Sequence, residues 1–160
     1  MSSIEETLQQ QLKDFDVVLA DGTIHSIKNM LGSHGTVIYF YPKSSTPGCT
    51  KQSCALRDEL SHLQSLGVSV IGVTKDKPSK IQKFIDQENL NFSIISDEML
   101  NLIKYFDVWK EKKFMGKTYM GIERSTFIFD ADGRLFDQYR NVKVNEHLNW
   151  IHKTLKRLNV

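Results

Sequence analysis

Two short runs rich in β-branched and aromatic residues, 36–41 (TVIYFY) and 68–73 (VSVIGV), flank a longer stretch of helical periodicity. This strand–helix–strand succession is what most constrains the fold. Gly35 and Pro42 bound the first run, and Gly67 precedes the second. Apolar runs of this length suit strands buried inside a sheet. Between them Cys54, Leu56, Leu60, Leu63 and Leu66 recur at mostly helical spacing, from Cys49 onward, with Gly67 as the stop.

The remaining segments extend this pattern. Residues 1–13 form a polar, helix-compatible lead-in. Val17-Val18-Leu19 and Thr23-Ile24 flank Ala20-Asp21-Gly22, the signature of a hairpin. Pro78 opens a helix that runs through Ile81, Phe84 and Ile85, as proline does in a first helical turn. Residues 92–95 read as a strand, and Asp97 as the cap of a helix reaching about Phe106. The lysine-rich segment 110–117 reads as an exposed loop. Residues 125–129 form a strand joined through Asp130-Ala131-Asp132-Gly133 to an antiparallel partner at 135–139, and a helix over about 145–158 follows. The expectation is an α/β fold, a mixed central sheet flanked by helices, in a single domain over 1–160.

Charge and hydropathy narrow the function classes. A net charge of +2 gives no reason to expect nucleic acid or an anionic membrane as partner. No apolar run approaches the roughly 20 residues of a membrane-spanning helix, and the polar, acidic start lacks the order of a signal peptide. A cytoplasmic protein is expected. In that compartment the two cysteines, Cys49 and Cys54, are more often catalytic or redox-sensing than a permanent disulfide.

Cys49 stands where the loop after the first strand meets the helix, the end of an open α/β sheet at which active sites gather. Backbone N–H groups at a helix start favour negative charge, so a thiol held there ionises more readily. Thr46, three residues earlier, can aim a hydroxyl at whatever the sulfur attacks. The plainer alternative is a small buried hydrophobe, the common role of free cysteine. Packing alone can also account for Cys54, on the apolar face of its helix.

Five residues along a helix separate two Cα atoms by roughly 8–9 Å, whereas a disulfide needs less than about 7 Å. If Cys49 and Cys54 bond, the first turns of the helix must unwind. Four intervening residues also differ from the Cys-x-x-Cys of thioredoxin-like oxidoreductases and lack the further ligands of a zinc knuckle. None of the five histidines forms a ligand-like pair in the sequence, and His62 reads as a helix-surface residue. A Cys–His hydrolase would need an oxyanion-hole signature, and none is visible beyond the loop itself.

Pro42-x-x-x-Thr46-x-x-Cys49 resembles the peroxidatic motif of peroxiredoxins. With Thr-Pro-Gly-Cys-Thr and Cys54 added, it is similar to the bacterioferritin-comigratory or peroxiredoxin Q subfamily. Further segments match: residues 70–76 followed by Pro78, Asn91-Phe92, Ser96-Asp97-Glu98, 114–119 and 121–127. The resemblance implies a thioredoxin-like fold and a thiol peroxidase acting on hydrogen peroxide or small organic hydroperoxides. It implies Cys49 as peroxidatic nucleophile, Arg124 as the cation on its thiolate and on the peroxide, and Thr46 as a peroxide contact. Pro42 would shield the site from water. Cys54 would resolve the sulfenic acid as an intrachain disulfide, which thioredoxin or a similar dithiol would reduce. Nothing but the resemblance separates Arg124 from Arg57, which also reads as a surface ion pair. No metal or other cofactor is implied, and a monomer is expected. The rival readings are a peroxide sensor or redox-regulated binding protein using the same switch, and a structural domain whose cysteines merely pack.

Overall fold

The computed structural model describes residues 11–160. Most of the polar lead-in expected over 1–13 lies outside the described residues. Of its last three, Leu12 is buried and Gln11 bridges to Arg134.

Seven strands form one mixed sheet. In chain order they are β1 (Asp16–Leu19), β2 (Ile24–Ser26), β3 (Gly35–Phe40), β4 (Val68–Thr74), β5 (Ser93–Ser96), β8 (Ser125–Asp130) and β9 (Leu135–Arg140). Their spatial order is β2-β1-β5-β4-β3-β8-β9. The central β3, β4 and β5 run parallel, while β8 and β9 on one side and β1 and β2 on the other are antiparallel. The helices are α1 (Pro47–Ser65), α2 (Pro78–Glu88), α3 (Asn101–Tyr105) and α4 (Val144–Arg157).

The side-chain alternation of β3 explains why the sheet is covered on both faces. Val37, Tyr39 and Tyr41 enter one core with Leu56, Leu60 and Leu63 of α1, Phe84 of α2 and Ile151 of α4. Ile38 and Phe40 enter the other with Phe106, Phe127 and Phe129. Every residue of β3 is buried, as a strand sandwiched between two layers must be.

Two expectations need correction. Residues 110–117 are not a loop: β6 (Trp109–Phe114) and β7 (Lys117–Ile122) pair as a separate two-stranded antiparallel sheet. Met115 and Gly116 both have positive φ, 50° and 78°, the backbone of the primed turns that match strand twist. Lysine has low strand propensity, so composition concealed a ribbon held by its turn and cross-strand register. The helix expected to follow Asp97 directly begins only at Asn101. Leu100 adopts a left-handed φ of 61° between them. Asp97 still caps it, accepting the N–H of Asn101 at 3.1 Å and of Ile103 at 2.8 Å. Burial nevertheless pushes the Asp97 carboxyl pKa up, against those backbone donors.

Candidate active site

The polypeptide leaves β3 at the carboxyl end of the parallel strands and turns sharply into α1. Two contacts pin this loop: the Tyr41 and Ser44 hydroxyls pair at 2.9 Å, and the Ser44 N–H donates to Asp76 Oδ2 at 2.7 Å. Ser45 takes a left-handed φ of 66°. Thr46 then occupies the N-cap and Pro47 the first helical position, where a missing N–H costs nothing. The Thr46 hydroxyl donates to the Lys43 carbonyl at 2.8 Å, leaving its lone pairs free to accept.

Cys49 is the third helical residue and is 1% exposed. Its N–H falls among the first-turn donors that no intrahelical carbonyl satisfies. Arg124, in the short link between β7 and β8, reaches it from the same end of the sheet, where Ser125 of β8 pairs with Phe40 of β3. Its Nη2 donates to Cys49 Sγ at 3.4 Å while Nη1 donates to Gln52 Oε1 at 2.6 Å. The neighbouring carboxylate does not compete for this guanidinium: Glu123 pairs with Arg140 at 3.3 Å and accepts the Ser125 hydroxyl at 2.9 Å. An open cleft beside Arg124 is lined by Pro42, Lys112, Glu123 and Asn141. Burial and the Arg124 charge push the Lys112 pKa down.

Behind Arg124 a buried chain of hydrogen bonds continues. Gln52 accepts from Arg124 through Oε1, so its Nε2 donates to His147 Nδ1, 3.2 Å away. His147 therefore carries its proton on Nε2 and donates it to Thr126 Oγ1 at 2.7 Å. Burial, with the Arg124 charge second, pushes the His147 pKa down to about 4, so it is neutral at pH 7.

Cys54 faces elsewhere. Its thiol donates to Glu88 Oε2 of α2 at 3.4 Å, and burial first, then this bond, push its pKa up. Arg57 stands on this side, donating to Asp58 at 2.9 Å and to the Glu88 carbonyl at 2.5 Å. Both cysteines are free, and α1 is continuous through them.

The structure thus gathers Pro42, Thr46, Cys49 and Arg124 at one mouth and sets Cys54 apart, with Arg57 at the latter. Gln52, His147, Thr126 and Lys112 were not anticipated. Gln52 had a visible signal, lying one helical turn after Cys49 on the same face. The others come from distant segments and had none. The absence of a ligand-like histidine pair also holds only along the sequence, because His62 and His152 meet across two helices, with ring centroids 6.0 Å apart.

Residues 8–137 match the AhpC/TSA family. The chain is 47% identical over 119 residues to "Peroxiredoxin Bcp" of Escherichia coli K12, covering 72% of this chain and 76% of the relative. It is 48% identical over 120 residues to "Peroxiredoxin Bcp" of Bacillus subtilis 168, covering 75% and 76%. The bacterioferritin comigratory protein of Xanthomonas campestris, solved in a study of its alkyl peroxide reduction activity, superposes with a TM-score of 0.82. That match has 34% identity and covers 89% of this chain and 90% of the other.

Proposed function

The chain belongs to the AhpC/TSA family, in its Bcp and peroxiredoxin Q branch, and from that premise we propose how its residues divide the work of a thiol peroxidase. The substrates are hydrogen peroxide and small organic hydroperoxides, the latter in keeping with the alkyl peroxide reduction of the Xanthomonas relative. The observation that carries the reading is the guanidinium of Arg124 donating to Cys49 Sγ at the start of α1.

Cys49 attacks as its thiolate. The sulfur takes the terminal peroxide oxygen, the O–O bond breaks, and the leaving alkoxide or hydroxide picks up a proton, giving a Cys49 sulfenic acid and an alcohol or water. Charge moves from sulfur to the departing oxygen. Donors that face both, the Arg124 fork and the open N–H groups of the first turn, are therefore worth most in the transition state. Thr46 accepts the peroxide O–H through its free lone pairs. Pro42 closes one side of the mouth against water.

The first turns of α1 then unwind. Cys54 attacks the sulfenic sulfur, water leaves, and an intrachain Cys49–Cys54 disulfide forms. Thioredoxin or a similar dithiol reduces it through a mixed disulfide. No metal, haem or flavin takes part in these steps. We assign the protein to the cytoplasm as a monomer. Among the described residues no helix is long and apolar enough to cross a membrane.

Stopped-flow peroxide consumption tests the assignment. Cys49→Ser should abolish turnover, and retained activity would exclude Cys49 as nucleophile. Cys54→Ser should consume one equivalent of peroxide and then fail to recycle with thioredoxin. Wild-type protein treated with one equivalent should lose two hydrogens in intact mass without dimerising.

A further inference from the structure

A second cluster of chemically capable side chains lies well away from the cysteine mouth. Glu59 and His62 are three residues apart on α1, so they share a face. His152 of α4 meets them across the seam between the two helices. Its Nε2 lies 3.4 Å from Glu59 Oε1, and one ligand-type atom from each of the three residues falls within 4.8 Å of the others. We infer that Glu59, His62 and His152 form a binding site for a transition-metal dication, with Zn2+ the best fit.

The backbone makes the convergence durable. Leu60 and Leu63, beside Glu59 and His62, pack in the same core as Ile151 and Leu155, on either side of His152. The ligands therefore stand at the rim of a packed interface, and only their own rotamers need to adjust. Around tetrahedral zinc, nitrogen and oxygen ligands with bonds of about 2.0–2.1 Å stand roughly 3.3 Å apart. The Glu59–His152 pair already has that separation, at 3.4 Å, and His62 needs to close in by at most about 1.5 Å. Two imidazoles and one carboxylate suit Zn2+, whereas Ca2+ and Mg2+ call for more oxygen ligands. Three protein ligands leave a fourth position for water.

Such a site would tie the second half of α1 to α4, downstream of both cysteines. Metal there leaves the cysteine mouth untouched, so the inference stands or falls independently of the peroxidase assignment.

Titration calorimetry of Zn2+ into the reduced full-length chain tests it, with Cys49→Ser/Cys54→Ser as the control for thiol ligation. The expected result is one equivalent per chain. Affinity should fall at least about tenfold in His62→Ala and in His152→Ala and stay unchanged in the double cysteine variant. Excess Zn2+ at about 100 times Kd should raise Tm by roughly 5–10 °C in the wild type and in neither histidine variant. Co2+ bound in place of zinc should show visible d–d bands without a thiolate charge-transfer band. Undiminished binding in both histidine variants, loss of binding in the cysteine variant, or a thiolate band with Co2+ would each overturn the site. So would the absence of any zinc binding.

Discussion

Arg124 serves two acceptors at once, Cys49 Sγ and Gln52 Oε1, and the planar fork of a guanidinium is what lets one side chain do so. Lysine offers a point charge that must choose between them. In Arg124→Lys the second-order rate constant with hydrogen peroxide should fall by roughly 100-fold, the scale of losing one aligned transition-state donor. Alkylation of Cys49 by iodoacetamide should fall less, because that reaction senses the thiolate and not the breaking O–O bond. Equal losses in the two assays would confine Arg124 to the thiolate, and an unchanged peroxide rate would remove it from the chemistry. Arg57 shows why residue type alone could not decide between the two arginines. It is also close to a cysteine, yet its partners are Asp58 and the Glu88 carbonyl. The difference lies in which strand begins beside the carboxyl end of β3, and that is a property of topology.

Among the elements, α1 carries the conflicting demands. In the proposed cycle it must be formed to present Cys49 on its first turn and must open to let Cys54 approach. Its sequence separates these tasks. Cys49, Gln52 and Ser53 are buried in the first half, where polar partners hold them: Arg124, His147 and the Tyr39 hydroxyl. Leu56, Leu60 and Leu63 anchor the second half by apolar burial. Oxidation should therefore raise amide hydrogen exchange over residues 47–54 while leaving residues 56–65 protected. Uniform protection before and after one equivalent of peroxide would refute local unwinding. The same contrast explains what was legible beforehand. The strands β3, β4 and β8 and the helices α1, α2 and α4 announced themselves because apolar burial imposes a period on the sequence. The ribbon β6–β7 has mostly exposed residues and no such period, and Leu100 delays α3 by a local backbone conformation that leucine does not advertise. Cys49, Thr46 and Pro42 were readable as one contiguous loop. The Gln52–His147–Thr126 chain was not, since it joins α1, α4 and β8 only after folding.

At the scale of the whole molecule, that buried chain ties overall stability to pH. His147 is neutral in the folded state, with a pKa of about 4. In the unfolded chain it takes up a proton near its ordinary value of about 6.5. Above that value neither state is protonated and His147 adds no pH dependence. As pH falls from about 6.5 to about 4 the unfolded chain gains a proton that the folded one refuses, so folding weakens; below about 4 both are protonated and the loss levels off. With about 1.4 kcal/mol per pH unit, the full loss is on the order of 3 kcal/mol, a large share of a typical domain's stability. The physical reason is geometric as well as dielectric. Protonation at Nδ1 would set a donor against the Gln52 amide, which can turn only by presenting its N–H2 to Arg124. Urea unfolding of wild type and His147→Asn at intervals from pH 7 to pH 4 should show the variant less stable at neutrality, for want of the Gln52 and Thr126 bonds. The gap should narrow steadily below pH 6.5, because carboxylate titrations are common to both proteins and cancel in the difference. Two curves that stay parallel to pH 4 would mean that His147 accepts its proton in the folded core, and that the chain behind Arg124 rearranges without cost.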